Sequence, residues 1–225
     1  MDIKKAYDFY LPFCSVKRVE QLDVVSQLLE NHLEFETLEV IETGASQNLQ
    51  DGCFGFFFCK LGLDSGGTFT SVDIDEHTVK NSEKLYQSHF PGQKIFHCVS
   101  DSVTFLQNYQ GSPNLIHLDS WDLYVPDPLP GMLHGWMEFE AIKDKMPSGS
   151  ICIIDDNFMK NTEVEWNWVD HGTGRRWSEI FTIPYEIVGK GGLIYHWAKK
   201  ESTDWDVIGD HYESGPNIKV IVKKR

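Results

Sequence analysis

Three short segments of the chain carry residue types that bind a nucleoside, and each segment directly follows a predicted strand. In the first, Gly44 lets the backbone pass close to a ligand, and small neighbours such as Ser46 leave room for it. In the second, Asp73 offers a carboxylate that can accept two hydrogen bonds from ribose hydroxyls, about 30 residues beyond Gly44 where about 20 is usual. In the third, Asp101 and Ser102 stand where an adenine amino group would be read. The three segments predict a nucleotide-binding site.

The acids at these positions also have a simpler interpretation. Asp75 and Asp101 could each do no more than cap the helix that follows. Their repetition at successive strand ends favours a ligand site. The turn around Gly44 is not a GxGxxG turn, so an NAD-linked oxidoreductase on the same general fold fits the sequence poorly.

Short apolar segments alternate with helical ones between residues 38 and 157, which is the pattern of parallel strands joined by crossover helices. Strands are predicted at residues 38–42, 68–73, 94–99, 114–119 and 150–155. Helices are predicted at residues 52–61, 76–89, 103–108 and 132–145. In open sheets of this kind ligands bind beyond the carboxyl ends of the strands, where the segments described above lie. The sequence therefore predicts an α/β, doubly wound, mostly parallel sheet.

Two further regions flank this alternating part. Before it, Ser15 is predicted to cap an amphipathic lead-in helix that ends near Asn31. After it, residues 158–190 are irregular and rich in tryptophan, so we predict a lid or insertion there. Strands predicted near residues 192–197 and 217–222 would close the sheet as a hairpin. No linker-like segment divides the chain, so a single domain is predicted over all 225 residues, with residues 1–37 as its helical lead-in.

In order along the chain, VIETGAS, SVDID, VSDSVTFL, LIHLDSWDLY and IIDDN resemble the motifs of class I S-adenosylmethionine (SAM)-dependent methyltransferases. The resemblance spans roughly residues 38–157. It implies a Rossmann-like, seven-stranded sheet with helices on both faces and an antiparallel C-terminal strand. It also implies SAM as the cofactor, bound by Glu42, Gly44, Ser46, Asp73, Asp101, Ser102 and Asp119.

HLDSWD and IIDDN resemble in particular the metal-dependent O-methyltransferases, among them the catechol and macrocin enzymes. This resemblance implies a divalent ion held by Asp119, Asp156 and Asn157, with Asp155 as a fourth candidate ligand. Hard oxygen ligands suit Mg²⁺ or Ca²⁺ better than zinc, and Mg²⁺ is the first choice. Such an ion would hold two acceptor oxygens and lower the pKa of the reacting hydroxyl. The alternative is an acidic strand end that caps the next segment.

The general base is open among Asp122, His134 and His171. Catechol O-methyltransferase has a lysine base three residues beyond its first metal-binding Asp, where this chain has Asp122. A histidine titrates near neutral pH, which suits proton removal, although a helical one such as His134 is more often packed or exposed. His117 lies within a predicted strand and is interpreted as structural. Asp122 and His134 are therefore the predicted catalytic residues.

Several aromatic residues near these motifs could shape a pocket for the methyl acceptor, with core packing as the alternative. They are Trp121, Tyr124, Trp136, Trp166 and Trp168. The acceptor itself depends on a lid around residues 160–184 that no motif identifies. The oligomeric state stays open between a monomer and a homodimer.

The composition narrows the partners. Thirty-four acidic and twenty basic side chains give a formal charge of −14, which disfavours nucleic acid and anionic membranes as partners. The five cysteines form no CxxC pair, and the sequence contains neither a signal-peptide-like apolar stretch nor an apolar run of about 18 residues. These features predict a cytoplasmic location.

The first functional hypothesis is a SAM-dependent methyltransferase that O-methylates a hydroxylated small molecule, such as a sugar or a sugar-bearing metabolite, with the help of Mg²⁺. The second keeps the SAM site without a metal. The third, from another class, is a non-catalytic nucleotide-binding protein with a degenerate site.

Overall fold

The computed structural model describes residues 2–46, 54–169, 172–209 and 217–225. Its first elements are helix α1 (Ile3–Tyr10), a 3-10 turn (Leu11–Phe13) and helix α2 (Val16–His32). The alternating part follows as β1 (Glu39–Thr43), α3 (Phe54–Asp64), β2 (Thr68–Asp73), α4 (Glu76–His89), β3 (Ile95–Val99), α5 (Ser102–Asn108), β4 (Leu115–Leu118), α6 (Leu129–Ile142) and β5 (Ile151–Met159). The last elements are β6 (Glu163–Val169), β7 (Arg176–Thr182), β8 (Ile187–Gly189), α7 (Gly192–Lys200), β9 (Trp205–Gly209) and β10 (Asn217–Lys224).

The main sheet has the strand order β3-β2-β1-β4-β5-β10-β9, with β8 paired to β5 as an eighth strand. Strands β1 to β5 are parallel, whereas β10 is antiparallel to both β5 and β9. The predicted doubly wound α/β sheet with an antiparallel C-terminal strand is therefore confirmed. The strand order reverses between β1 and β4, and in such sheets this reversal opens a crevice at the carboxyl ends.

The core lies between the sheet and its helices. Strand β1 contributes Val40 and Ile41, which are fully buried. Helix α3 is apolar almost all round because it is buried on most of its surface, with Phe56, Phe57 and Phe58 without exposed area. This packing fixes the strands whose ends form the site.

The N-terminal part contains helix α1, which the sequence did not predict. Ser15 precedes α2 as predicted, although its side chain makes no capping bond. Helix α1 is capped by Asp2, whose carboxylate accepts a hydrogen bond from the Lys5 backbone at 3.0 Å. Three residues of α1 are buried in the core, namely Ile3, Ala6 and Tyr10.

The C-terminal part corrects one predicted strand. Residues 192–197 belong to helix α7, not to a strand. A short apolar run fits both the strand period of two and the helical period of 3.6 residues. Here Ile194 and Ala198 lie four residues apart on a buried face, and Lys199 and Lys200 suit the last turn of a helix. Strand β10 confirms the other predicted strand, and its hairpin-like antiparallel partner is β9.

The predicted lid contains regular structure. Strands β6 and β7 pair with each other as a separate two-stranded sheet, which we call the β6–β7 hairpin. Among the described residues, no helix is both long and apolar enough to cross a bilayer.

Candidate functional site

A cleft of about 640 Å³ lies over the carboxyl ends of the parallel strands, and we call it the strand-end cleft. Its volume lies within the range of about 300–1,000 Å³ that small-molecule sites occupy. Six of the seven predicted cofactor-binding residues line it: Gly44, Ser46, Asp73, Asp101, Ser102 and Asp119. Their roles stay predictions, but the fold brings them to one place.

Gly44 forms the turn that follows β1. Its φ of +83° lies in the left-handed region, and its amide donates a hydrogen bond to the Val72 carbonyl at 2.9 Å. A Cβ at this position would overlap the backbone carbonyl of Asp119. Only glycine therefore allows the turn after β1 to pass this close to the backbone that follows β4, at the edge of the cleft.

Asp73 ends β2 with its carboxylate fixed by two backbone amides. Oδ2 accepts a hydrogen bond from the Ala45 amide at 3.0 Å, and Oδ1 accepts one from the Asp75 amide at 2.9 Å. Each carboxylate oxygen can accept a second bond, so Asp73 can still receive ligand hydroxyls. Asp75 instead caps α4 by accepting bonds from the amides of His77 and Thr78, as the simpler interpretation held.

Asp101 caps a helix and also faces the predicted ligand site. It caps α5 by accepting a bond from the Thr104 amide at 2.8 Å, and that bond lowers the pKa of its carboxyl group. It also lines the strand-end cleft. Capping and ligand contact are therefore compatible at this residue.

His134 lies on the wall of the strand-end cleft beside Ser102, with Ser102 Oγ 3.2 Å from its Nε2. The same nitrogen lies 2.9 Å from Ser120 Oγ, and that hydroxyl donates to Glu138 at 2.6 Å. The His134 ring stacks on Trp121 with 5.0 Å between centroids. Ser120 and Glu138 were not foreseen, although the spacing of His134 and Glu138 by four residues on one helix signals their contact.

Glu42 requires a correction. It does not line the strand-end cleft, and only 1% of its surface is exposed. Its carboxylate accepts bonds from Ser71 Oγ at 3.2 Å and Tyr86 OH at 3.3 Å, and it lies 3.5 Å from His117 Nδ1. The side chain points into the core behind the first strand, so the structure shows no direct contact of Glu42 with the cleft.

Glu42 belongs to a group of buried ionisable side chains behind the cleft, and burial raises the pKa of its own carboxyl group. His117 lies between Glu42 and Asp155, with its Nε2 3.8 Å from Asp155 Oδ2. Lys219 has no exposed area, pairs with Asp155 and lies 4.2 Å from the centre of the Phe54 ring. Burial would raise the pKa of Asp155, but Lys219 and His117 outweigh it and hold that pKa well below its ordinary value. Burial would favour neutral His117, but the two carboxylates outweigh it and raise its pKa.

The charge on His117 makes the stability of the fold depend on pH. Because the folded-state pKa exceeds the unfolded value of about 6.5, the stabilisation is complete below that pH and disappears as pH rises through the folded-state pKa. We expect the unfolding free energy to fall above about pH 6.5, by at most about 1.4 kcal/mol per pH unit for one proton. We expect the unfolding free energy of His117→Gln to depend less steeply on pH. Urea unfolding between pH 6 and 9 measures it, and equal slopes in the two proteins would contradict the assignment.

The implied metal ligand Asn157 does not face the cleft. Its side chain is completely buried, and Oδ1 accepts a hydrogen bond from the Gly191 amide at 2.6 Å. Its amide group donates to the carbonyls of Ile154 and Asp155 at 2.9 and 3.0 Å. The carboxamide oxygen therefore holds β5 to the segment after β8 and does not line the strand-end cleft.

A lysine ammonium lies between the other two implied ligands. Lys190 Nζ is 2.9 Å from Asp119 Oδ1 and 2.9 Å from Asp156 Oδ2. Burial opposes the charged form of Lys190, but the two carboxylates outweigh it and raise the pKa of the ammonium above its ordinary value. Oxygen and nitrogen atoms of His117, Asp119 and Asp155 do lie within 4.8 Å of one another, yet Asp155 is already paired with a lysine. These residues do not fit a divalent-ion site.

A second cleft of about 540 Å³ adjoins the first, and we call it the hairpin cleft. Asp122 and Asp156 line both clefts, so the two meet at these carboxylates. The remaining lining comes from the loop after β4, the end of β5 and the β6–β7 hairpin: Leu123, Tyr124, Val125, Phe158, Val164, Glu165 and Trp166.

Of the five aromatic candidates for an acceptor pocket, Tyr124 and Trp166 line the hairpin cleft. Trp168 stands edge-on to Tyr124 beside them, 5.6 Å between centroids. Trp136 packs against Trp197, which agrees with a role in core packing. Trp121 stacks on His134. The candidate base His171 lies outside the described residues.

The junction of the two clefts has unusual backbone geometry. Trp121 and Asp156 have φ values of +65° and +53°, and both line the strand-end cleft. Positive φ is uncommon for residues other than glycine, above all for a bulky side chain, and it tends to mark functional sites.

Sequence comparison finds no relative of this chain, whereas structural comparison finds proteins with the same fold. No family model matches the chain, and no curated protein matches its sequence. A SAM-dependent methyltransferase from Clostridium acetobutylicum ATCC 824 matches in structure with a TM-score of 0.54, 15% identity, and coverage of 100% of this chain and 92% of that one. The chain shares the Rossmann-like fold of that methyltransferase.

Two other solved structures agree on the fold. A glycopeptide N-methyltransferase in complex with S-adenosyl-L-homocysteine has a TM-score of 0.51 and 10% identity, with 88% of each chain covered. An rRNA methylase from Streptococcus thermophilus has a TM-score of 0.51 and 10% identity, with 91% of this chain and 96% of that one covered. Because their acceptors differ, the fold alone does not select one.

Proposed function

We propose that the protein is a SAM-dependent methyltransferase that methylates a hydroxyl group of a small molecule, such as a sugar or a sugar-bearing metabolite, without a divalent ion. One observation carries the proposal: the strand-end cleft and the hairpin cleft meet at Asp122 and Asp156. A methyl donor in the first cleft and an acceptor in the second would react at that junction.

The strand-end cleft fits SAM in three respects. The Gly44 turn would let backbone approach a ligand, Asp73 offers carboxylate oxygens for the ribose, and Asp101 and Ser102 offer a carboxylate and a hydroxyl for the adenine. SAM, when bound, supplies an electrophilic methyl group on a sulfonium sulfur.

The hairpin cleft fits a ring with hydroxyl groups. Tyr124 and Trp166 offer flat apolar surfaces, 5.4 Å apart and at 82° to each other. Aromatic faces of this kind pack against rings, while carboxylates such as Asp122 and Glu165 accept hydrogen bonds from hydroxyls. Its volume of about 540 Å³ suits a molecule of metabolite size.

Asp122 is the better placed of the two predicted bases. It lines both clefts, whereas His134 lines only the strand-end cleft, on the side of Ser102. In the step that this arrangement supports, Asp122 accepts the proton of the acceptor hydroxyl as that oxygen forms its bond to the methyl carbon. The electron pair of the broken carbon–sulfur bond stays on the sulfur.

An RNA acceptor is a second candidate because the solved structures with this fold include an rRNA methylase and a putative one. The charge of −14 argues against it, since a polyanion gains affinity from basic side chains. The junction of the clefts is also acidic, with Asp119, Asp122 and Asp156 around one lysine. We therefore place a small molecule ahead of RNA.

The proposal is tested by transfer of label from methyl-labelled SAM to a panel of glycosides, sugar nucleotides, catechols and rRNA, with and without a chelator. We expect transfer to at least one hydroxylated small molecule and equal rates with the chelator present. Transfer to RNA alone, or a protein that does not bind SAM, would contradict the proposal.

Trp166 tests the acceptor cleft by itself. Truncation to alanine removes a ring face from the hairpin cleft, so we expect Trp166→Ala to raise the KM for the acceptor about tenfold and to leave the Kd for SAM unchanged. Trp177→Ala is the matched control, because Trp177 lies on the partner strand, stacks on Trp168 and does not line the cleft. Equal KM values in the two variants would place the acceptor elsewhere.

A further inference from the structure

The segment Gly189-Lys190-Gly191-Gly192 holds a lysine in a fixed position at the junction of the two clefts. Gly189 has a φ of +138°, and a Cβ there would overlap the backbone carbonyl of Asp156. Strand β8 pairs with the end of β5, and the Lys190 amide donates to the Asp156 carbonyl at 3.3 Å. The backbone of Lys190 is thus attached to the strand that carries Asp156.

The side chain of Lys190 is enclosed and paired. Only 3% of its side-chain surface is exposed, and its ammonium lies 2.9 Å from a carboxylate oxygen on each side, Asp119 and Asp156. An ammonium between two carboxylates forms charge-assisted hydrogen bonds, so Lys190 acts here as a hydrogen-bond donor. The position that the sequence resemblance assigned to a divalent ion is therefore filled by a charge of the chain itself.

We propose that the Lys190 ammonium performs the function of that ion. It neutralises Asp119 and Asp156, excludes a divalent cation from between them, and provides a fixed positive charge to the acceptor oxygen. An ammonium has three N–H donors, and in the described part of the chain two face these carboxylates, which leaves the third for an oxygen at the junction. The role toward the acceptor rests on the proposed function, whereas the exclusion of a metal does not.

The chemistry of the site supports this substitution. Asp119 follows β4 and Asp156 lies in β5, and both carboxylates contact the same ammonium, without which their like charges would repel. A divalent ion needs several oxygen ligands, and the third implied ligand, the Asn157 oxygen, is buried and hydrogen-bonded to the Gly191 amide. One ammonium satisfies both carboxylates with no further ligand.

Removal of the ammonium should create the metal site that the wild type lacks. We would measure Mn²⁺ binding by electron paramagnetic resonance to wild type, Lys190→Ala, Lys190→Gln and the double variant Lys190→Ala with Asp119→Asn. We expect Mn²⁺ binding at least about tenfold tighter in Lys190→Ala than in the wild type, and loss of that gain in the double variant. Lys190→Gln, which keeps the length of the chain but not its charge, should show a smaller gain.

Two results would overturn the proposal. The first is one-to-one Mn²⁺ binding by the wild type that Asp119→Asn abolishes. The second is a folded Lys190→Ala variant whose Mn²⁺ binding equals that of the wild type. SAM binding, measured on the same samples, separates this inference from the proposed function, because the absence of SAM binding would contradict only the latter and the role toward the acceptor.

Discussion

Asp122→Asn is expected to lower kcat by about 100-fold or more, while the KM for the acceptor and the Kd for SAM change little. The physical reason is that asparagine keeps the size and hydrogen-bonding capacity of the side chain but cannot accept a proton. Asp122 is exposed at the junction of the two clefts, so the replacement does not disturb the core. Steady-state kinetics with the acceptor found in the labelling panel provide the measurement.

Asp127→Asn is the matched control for this variant. Asp127 lies in the same loop after β4 and lines neither cleft, so its kcat should equal that of the wild type. A second comparison, His134→Gln, separates the two predicted bases, and we expect it to act on SAM affinity through its contact with Ser102. Full kcat in Asp122→Asn would show that Asp122 does not take the proton.

Lys219→Met is expected to have the largest effect on stability, a loss of about 3–5 kcal/mol in the free energy of unfolding. Lys219 has no exposed surface, and its removal leaves the buried Asp155 carboxylate without its closest cationic partner. His117 and Arg18 remain near that carboxylate, but at 3.8 and 4.0 Å. Urea unfolding at pH 7 gives the free energy.

Two further variants identify the cause of this loss. Lys223→Met removes another lysine of β10, whose ion pair with Glu34 lies at the surface, and should barely shift the unfolding midpoint. Lys219→Met combined with Asp155→Asn removes both buried charges and should recover part of the loss, because the penalty comes from the unpaired carboxylate. A double variant as unstable as Lys219→Met alone would assign the loss to packing.

The sheet was predictable from the sequence because its strands are short apolar runs separated by clear turns. Four of the five parallel strands begin within one residue of the predicted position, and the fifth, β2, matches at both ends. The strand-end residues Asp73 and Asp101 followed from that placement. Sequence therefore located the strand-end cleft, since the topology brings those ends together whatever the details of packing.

The C-terminal part was less predictable, for reasons that differ between elements. The sequence of helix α7 predicts a strand because so short an apolar run fits both the helical and the strand period, and only its burial distinguishes them. Strand β6 was predicted as irregular, although Val164, Trp166 and Trp168 alternate with polar residues in the manner of a strand. Here the signal was present in the sequence.

The charge arrangement at the site could not be predicted from the sequence. Lys190 contacts Asp119 across 71 residues of chain, and Lys219 contacts Asp155 from the last strand. No local pattern reports such distant pairs. Only the three glycines around Lys190 could have marked the segment as a place where backbone must approach another strand closely.

The central claim is that the strand-end cleft binds SAM, and calorimetric titration of SAM into the protein tests it most directly. We expect one-to-one binding by the wild type and about 10- to 100-fold weaker binding by Asp73→Ala, because the ribose loses two charge-assisted hydrogen bonds. Asp75→Ala, which removes the neighbouring carboxylate that only caps α4, should bind SAM like the wild type. A wild type without affinity for SAM, or equal affinities in all three proteins, would contradict the claim.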